Sequence, residues 1–509
     1  MRGPGRFALV VGSAAFFVLV LIVARRSAPM FPVADEAVTE LATLNALAGR
    51  QLLGPYSRYP WHHPGPALFY LLAPFYEASG KRATGLAAGA LVIGIAGLSL
   101  TAWVLFRRGG AALAVPLLLT ATVLLGRVPA TLFSPWNPHM AAILAIPMLI
   151  LAAAAAAGWP LGLPLLAAVA SIVVQSHVAA LPLAAIAFAA GAVALKTSGI
   201  QRSQTVARAV AVLFVVWLLP VVEQFMPAGG NAGRLLQFAL TPQPPADWSI
   251  AIQAWGDALL SFVRSDFRVP LGLLVTHDPV RWTMAAAFAE LLLLAGISVW
   301  ARATHRALYM WIALELLAAS VVSLWAVSRI PDGIHDHEVF WIAVIGALNA
   351  GAILALPLTL IGLDRWRAAS TIAVTALVAV LAASGFNELR LMAARSHSLS
   401  ANDRLIRNLT NAVDAEITRT GSRKTTVLID QRVWPAAAGV ILQLRKSGRV
   451  VAVEPDLAHM FSGTLAADGS EDLEVSFCGG PCHERQAARP GNVVVWLADG
   501  IAVDAVALR

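Results

Sequence analysis

Residues 32–66 read PVADEAVTELATLNALAGRQLLGPYSRYPWHHPGP, and this polar stretch lies between two strongly apolar runs. Asp35 and Glu36 form a carboxylate pair near its start, and His62 and His63 lie just before the second apolar run. Carboxylate and imidazole side chains are expensive to bury in a bilayer, yet both are well suited to proton transfer. The stretch therefore predicts a candidate active site held at a membrane surface.

The chain as a whole has the composition of a membrane protein. Of its 509 residues, 58% are hydrophobic and 13% are charged, whereas a soluble domain carries roughly 25% charged residues. The mean hydropathy is +0.72, and several apolar runs approach the roughly 20 residues that a spanning helix needs. We therefore expect a polytopic α-helical membrane protein. Its net charge of +8 is first a signal of which loops are cytoplasmic, because basic residues are enriched there, and second an indication of contact with anionic lipid. No nucleic-acid partner is expected.

About eleven spanning helices fit the apolar runs. They are predicted at residues 7–24, 84–106, 111–126, 140–157, 209–226, 283–300, 307–327, 339–363 and 368–383, with two more inside the run 161–195. The short run 67–76 is bounded by prolines and is expected to be interfacial or re-entrant. With the N-terminus inside, the predicted cytoplasmic loops are rich in arginine, in agreement with the positive-inside rule. This pattern predicts a multi-pass membrane protein with a cytoplasmic N-terminus.

The composition changes near residue 386. Residues 1–385 are predicted to form the transmembrane module, with a first outer loop at 25–83. Residues 386–509 are predicted to form a small periplasmic α/β domain. An amphipathic helix begins this domain, because apolar residues recur at every fourth position, at Leu405, Leu409, Val413 and Ile417.

Strand patterns follow that helix. Short β-rich runs are found at 425–429, 450–453, 473–477 and 493–497, with a helical pattern at 436–444 between the first two. Strand, helix and strand in succession favour an α/β fold. Cys478 and Cys482 are the only cysteines, so no further cysteine completes a zinc site. On an oxidising outer face they are expected to form a disulfide.

Two interpretations of the carboxylate pair are open. Asp35 and Glu36 could simply favour the positive N-terminal end of a helix. Alternatively, Asp35 is a general base that removes a proton from an attacking hydroxyl, a contribution of about 10²–10⁴ in rate. Glu36 could assist, or the pair could hold a divalent cation, Mg or Mn, through oxygen ligands.

Further polar residues are predicted to face the same outer surface. Arginine matches phosphate oxygens with its planar fork, and histidines can hydrogen-bond sugar or phosphate. The alternatives are an aromatic belt at headgroup depth and ordinary polar loops. The candidate substrate-binding residues are Arg58, His62, His63, Asn137, His177, Arg329, His335 and His337.

The sequence also limits the chemistry that is available. It has no phosphate-cradling glycine loop, and nucleotide-activated donors are cytoplasmic, so a donor on the outer face is expected to be carried in the lipid. Glu290 and Glu315 fall inside predicted spans, where a carboxylate costs roughly 2.5–3.5 kcal/mol on insertion scales. They are either structural hydrogen-bonded groups or a proton relay, and the latter would favour a transporter.

Residues 34–41 (ADEAVTEL) and 61–76 (WHHPGPALFYLLAPFY), together with the order of spans over residues 7–385, resemble the GT-C glycosyltransferases. That superfamily includes protein O-mannosyltransferases, the lipid A aminoarabinose transferase, and mycobacterial arabinosyl- and mannosyltransferases. The resemblance implies that Asp35 matches the acidic residue of the first outer loop. The turn 134–139 has no Asp or Glu where many members carry a second acid.

The function implied by this resemblance is transfer of a sugar, with inversion, from a polyprenyl-phosphate donor. The acceptor would be a glycan, lipid or protein of the cell envelope. The C-terminal domain is expected to aid acceptor recognition or assembly. A transporter or flippase for lipid-linked saccharides and a non-catalytic envelope assembly factor are the alternatives.

Overall fold

The computed structural model describes residues 18–508, apart from 21, 27–28, 129–130, 198–201, 227–228, 242–246, 264–280, 332, 366, 395–398 and 462–464. Most of the predicted first span, 7–24, lies outside these residues. The chain forms two compact units. Unit 1 comprises Met1–His62, Phe69–Gly89 and Leu391–Arg509, and unit 2 comprises His63–Leu68 and Ala90–Arg390.

Most helices before residue 395 lie on the predicted apolar runs, and α1, α9 and α10 are the exceptions among those described below. They are α1 (Ala34–Leu47), α2 (Ala67–Ala78), α3 (Ala83–Arg108), α4 (Ala111–Arg127), α5 (Asn137–Ala156), α6 (Gly162–Ser176), α7 (Leu181–Thr197), α8 (Arg202–Gln224), α9 (Asn231–Leu240), α10 (Trp248–Leu259), α11 (Arg281–Ala303), α12 (Ala307–Ser328), α13 (Asp336–Ile361) and α14 (Arg367–Ala394). Among the described residues, six helices are long and apolar enough to cross a membrane: α3, α5, α8, α11, α12 and α13. The count of eleven spans stays a prediction.

Two helices, α9 and α10, occupy a segment where the sequence predicts no element. The side chain of Asp247 caps α10 by accepting a hydrogen bond from the Ser249 backbone N–H at 2.7 Å. Trp255 of α10 is fully buried, and its indole Nε1 donates to Ser320 O at 2.8 Å and to Ser323 Oγ at 3.0 Å. Helix α10 is therefore an integral part of the helical unit.

Close helix packing organises unit 2 around α5 and α13. Helix α5 is buried throughout its apolar window, and α13 packs against α4, α5, α10 and α12. A Cβ added at Gly346 would lie 1.7 Å from Leu259 O, and one at Gly351 would lie 2.7 Å from the Cα atom of Leu117. Glycine at these two positions allows the helix backbones to approach each other, as is typical of membrane helices.

The C-terminal part of unit 1 is an α/β structure. Its elements are α15 (Ala401–Thr420), β1 (Thr425–Ile429), α16 (Trp434–Lys446), β2 (Val451–Val453), β3 (Leu473–Cys478), α17 (Pro481–Ala487), β4 (Val493–Ala498) and β5 (Ile501–Ala507). The sheet has the order β2-β1-β3-β5-β4. Strand β1 pairs in parallel with β2 and β3, and β5 pairs antiparallel with β3 and β4. The sequence predicts every element of this sheet except β5.

Helix α1 shares the hydrophobic core of this α/β structure. Ala37, Val38 and Leu41 are buried in one cluster with residues of α15, α16 and the sheet. A Cβ added at Gly439 of α16 would lie 2.8 Å from Pro32 O, so the chain entering α1 passes directly over α16. The acidic helix near the N-terminus therefore folds as part of the C-terminal α/β structure.

Candidate functional site

Asp35 lies in the first turn of α1 and is half-buried, whereas its neighbour Glu36 is exposed. The Asp35 carboxylate accepts a hydrogen bond from the hydroxyl of Tyr56. Burial raises the pKa of Tyr56, and the nearby Asp35 carboxylate raises it further, so the phenol keeps its proton and acts as the donor. Ala34, directly before Asp35, has φ +49°, a costly left-handed conformation for a residue with a Cβ atom.

The loop after α1 holds Tyr56 and His62 together. Tyr56 and His62 form an isolated antiparallel bridge, and the Ser57 backbone N–H donates to Trp61 O at 3.2 Å. His62 is buried, with its Nε2 2.6 Å from the carbonyl oxygen of His459. Because a carbonyl only accepts, Nε2 carries the proton in this bond. His62, a predicted substrate ligand, thus connects the loop after α1 to residue His459 within unit 1.

Arg58, the predicted phosphate ligand of this loop, is exposed. Its guanidinium lies 4.8 Å from the ring centroid of Tyr59, and the rings of Tyr59 and Trp61 stack with centroids 5.8 Å apart. A guanidinium over an aromatic face is held by a cation–π attraction. Its side chain is thus oriented by aromatic neighbours.

Glu40, which the sequence analysis does not select, is fully buried and forms a polar triad with Tyr76, which is also buried, and with the half-buried Lys446. Its Oε1 accepts from Tyr76 Oη at 2.7 Å and from Lys446 Nζ at 2.5 Å. Burial raises the pKa of Glu40, while the Lys446 ammonium opposes that shift. The triad joins α1, α2 and α16 and therefore fixes the helix that carries Asp35. The sequence carries no local signal for it, because Glu40 and Lys446 are 406 residues apart.

Unit 2 contains the histidines of the other predicted segments. His63 Nδ1 accepts from the Val178 backbone N–H at 3.1 Å, and the His63 and His177 rings have centroids 5.1 Å apart. Burial lowers the pKa of His177 to about 4. His177 is therefore uncharged at neutral pH, and its imidazole can donate one hydrogen bond and accept another.

A second set of rings centres on Trp136. Its ring centroid lies 5.0 Å from that of His139 and 5.7 Å from that of His337, which in turn lies 5.6 Å from His335. Asn137 Nδ2 donates to Ser176 O at 3.0 Å, which connects this set to the turn that carries His177. His139 is buried and is a member that sequence reasoning missed, although it belongs to the histidine-containing turn 133–139.

The remaining predicted residues of unit 2 lie near the two ends of the 329–338 loop. Arg329 is exposed at the C-terminal end of α12. His335 is the N-cap of α13, and its backbone N–H donates to Glu338 Oε2 at 2.9 Å. The structure thus brings His63, Asn137, His177, His335 and His337 into one unit, and it brings Asp35, Glu36, Arg58 and His62 into the other.

The described side chains contain no group of three or more His, Cys, Asp or Glu that could hold a metal ion. A divalent cation held by Asp35 and Glu36 and a proton relay through Glu290 and Glu315 stay predictions. Asn349 Nδ2 donates to Glu290 Oε2 at 3.2 Å and to Ser320 Oγ at 3.0 Å, which gives Glu290 a structural partner. Glu315 is buried within α12. Cys478 and Cys482 are joined by a disulfide between β3 and α17.

Helices of this length and order, followed by a small C-terminal sheet, define a multi-pass helical membrane protein with an ArnT-like fold. The structure is similar to the crystal structure of ArnT from Cupriavidus metallidurans in the apo state, with a TM-score of 0.57 and 12% identity over 98% of each chain. For the crystal structure of that ArnT bound to undecaprenyl phosphate, the TM-score is 0.54 and the identity 13%, again over 98% of each chain. No protein-family model matches the sequence. No curated protein matches it either.

Proposed function

We propose that the protein is a GT-C-type glycosyltransferase that uses a polyprenyl-phosphate-linked sugar donor on the outer face of a bacterial inner membrane. The observation that carries the proposal is Asp35, a half-buried carboxylate held by Tyr56 in the first turn of α1. The similar fold of ArnT, an aminoarabinose transferase of the GT-C superfamily, and its crystal structure with undecaprenyl phosphate support this choice of donor.

Asp35 acts as the general base in the proposed reaction. The acceptor hydroxyl oxygen attacks the anomeric carbon, and its proton passes to the Asp35 carboxylate. The bond between the anomeric carbon and the phosphate oxygen breaks, and polyprenyl phosphate leaves with the electron pair. Because attack and departure are in line, the anomeric configuration inverts. The Tyr56 hydroxyl, by its hydrogen bond, positions the carboxylate for this step.

The other predicted residues have supporting roles in this proposal. Glu36 is exposed and adds negative charge beside the base. Arg329 is the proposed phosphate partner, because an exposed guanidinium can bind two phosphate oxygens at once. Hydroxyls of the sugar would be bound by the neutral imidazole of His177 and by its neighbours. The acceptor is a glycan, lipid or protein of the envelope.

The test is a transfer assay with purified full-length protein, a panel of undecaprenyl-phosphate-linked sugars and a solubilised envelope fraction that supplies the acceptor, in which release of undecaprenyl phosphate is measured. Asp35→Asn should lower the rate about 10²–10⁴-fold. Glu77→Gln, which neutralises an exposed carboxylate of α2, is the matched control and should keep the wild-type rate. Glu290→Gln should also retain activity, because the mechanism gives Glu290 no role and the glutamine oxygen can still accept from Asn349 Nδ2. Full activity of Asp35→Asn would refute the mechanism.

A further inference from the structure

A basic cavity lies in unit 2 where α3 ends and α12 begins. It has a volume of about 360 Å³, within the range of small-ligand sites. Arg107, Arg108 and Arg306 line it together with His305, and no Asp or Glu is among its described lining residues. Within the described part of the chain, none of the three arginines forms an ion pair. Three guanidinium groups thus surround one small space without a protein counter-ion.

Asp364, an acidic residue next to Gly110 at the end of α3, is already engaged. Asp364 Oδ1 accepts from the backbone N–H groups of Ala111 and Ala112 at 2.7 and 3.2 Å, at the N-terminus of α4. A carboxylate at a helix N-terminus is stabilised by these donors and by the helix dipole. Asp364 therefore caps α4 and does not line the cavity.

Tryptophan rings lie close to two of these three arginines. The guanidinium of Arg108 lies 5.9 Å from the ring of Trp159, and that of Arg306 lies 5.6 Å from the ring of Trp300. Trp103, which contacts Trp159 at a centroid distance of 5.3 Å, is half exposed. Tryptophan is enriched at the depth of lipid headgroups because its ring is apolar and its N–H is polar. Tryptophan rings beside two of the arginines are typical of a site at that depth.

We propose that this cavity binds a phosphate group, supplied by the headgroup of an anionic phospholipid. Phosphate oxygens match the paired donors of guanidinium, and basic pockets between helices are suited to anionic headgroups. The tryptophans favour a lipid as the source over free phosphate, since a lipid also brings acyl chains to an aromatic surface. This site is separate in the chain from Asp35 and independent of the proposed transfer reaction.

The test uses delipidated full-length protein in neutral detergent. Binding is measured by titration with phosphatidylglycerol, with phosphatidylcholine and with inorganic phosphate. We expect saturable binding of phosphatidylglycerol, and at least about tenfold weaker binding by the double variant Arg108→Gln/Arg306→Gln, because two charge-assisted contacts are lost. The matched control is Arg302→Gln/Arg365→Gln, which removes the same charge from exposed positions outside the cavity.

Each outcome decides the proposal. If inorganic phosphate binds as tightly as phosphatidylglycerol, the site binds a free anion and the lipid source is wrong. If phosphatidylcholine binds as tightly as phosphatidylglycerol, the proposed recognition of an anionic headgroup is wrong. An equal loss in both double variants would show general charge attraction and no built site. Arg108→Lys/Arg306→Lys keeps the charge and guards against misfolding of the glutamine variant. It should bind phosphatidylglycerol more tightly than the glutamine variant, because it keeps the charge. If a well-folded lysine variant binds as weakly as the glutamine variant, charge alone does not hold the headgroup, and the paired guanidinium donors are required.

Discussion

Replacement of Lys446 by methionine should destabilise unit 1 more strongly at high pH than at low pH. Lys446 Nζ contacts Glu40 Oε1 at 2.5 Å, and Glu40 is fully buried. In Lys446→Met the Glu40 carboxylate keeps only the Tyr76 hydroxyl as a hydrogen-bond donor in the described structure. An uncompensated buried charge of this kind is strongly destabilising.

The size of the effect follows from burial. Removal of one partner of a buried ion pair costs about 3–5 kcal/mol. The Lys446 side chain is 23% exposed, so water already screens part of the interaction and a value of about 3 kcal/mol is expected. For a unit of roughly 200 residues, this loss corresponds to a decrease in melting temperature of about 6–12 °C.

The pH dependence has a defined sign. Burial raises the pKa of Glu40 above 4.5, and loss of Lys446 raises it further. Between the unfolded and folded pKa values the native state binds more protons than the unfolded state, so stability falls as the pH rises through that window. The deficit of Lys446→Met relative to wild type should therefore be small near pH 5 and large near pH 8.

The assay is thermal unfolding of the full-length protein in detergent at both pH values. The double variant Glu40→Gln/Lys446→Met, which has no buried charge, should recover most of the stability and lose the pH dependence. Equal deficits of Lys446→Met at pH 5 and pH 8 would refute the reasoning. A double variant no more stable than Lys446→Met would also refute it, because the cost would then come from lost packing.

Three further predictions follow from individual contacts. Tyr56→Phe removes the hydroxyl that positions Asp35, so kcat for sugar transfer should fall about tenfold while the melting temperature changes little, since one hydrogen bond contributes about 1 kcal/mol. Trp255→Phe removes the indole N–H, which makes one bifurcated hydrogen bond to Ser320 O and Ser323 Oγ of α12, and should cost about 1–2 kcal/mol, measured as a lower melting temperature. Gly346→Ala places a Cβ against Leu259 O and should lower expression of folded protein, whereas Gly296→Ala, at an open position of α11, should not.

Most helices can be predicted because a bilayer requires long apolar runs. Helix α10 escapes this criterion, since it has 12 residues and only one apolar face. Ala251, Ala254, Trp255 and Ala258 have the helical spacing of that face, yet Trp248 and Ile250 are exposed. A search for helical periodicity, and not for apolar runs alone, would have found it.

Strand β5 was missed for a different reason. Asp504 interrupts the apolar segment IAVDAVA, and an acidic residue at the centre of a strand argues against burial. In the structure Asp504 is buried, and it accepts hydrogen bonds from Asn492 Nδ2 at 3.0 Å and contacts His483 Nδ1 at 2.8 Å. Such partners come from tertiary structure, which a strand pattern does not contain.

The sequence selects residue types for the candidate site but contains no information on their contacts. Asp35 and Glu36 are adjacent and chemically similar, and only the rotation of α1 makes one half-buried and the other exposed. Tyr56, the partner of Asp35, is 21 residues away. His139 was overlooked because it begins an apolar span, where a histidine looks like part of the helix. In each case the missing information is a contact between distant residues.

The contacts of α1 give the C-terminal domain a part in the proposed chemistry. A helix of 14 residues is only marginally stable in isolation, so α1 depends on the core in which Ala37, Val38 and Leu41 are buried. The Phe31 backbone N–H also donates to Asp403 Oδ1 at 2.7 Å, so the chain that enters α1 is tied to α15. An ordered Asp35 therefore requires that residues 401–507 fold. The C-terminal domain thus supports the proposed base by holding α1 in place, whether or not it contacts an acceptor.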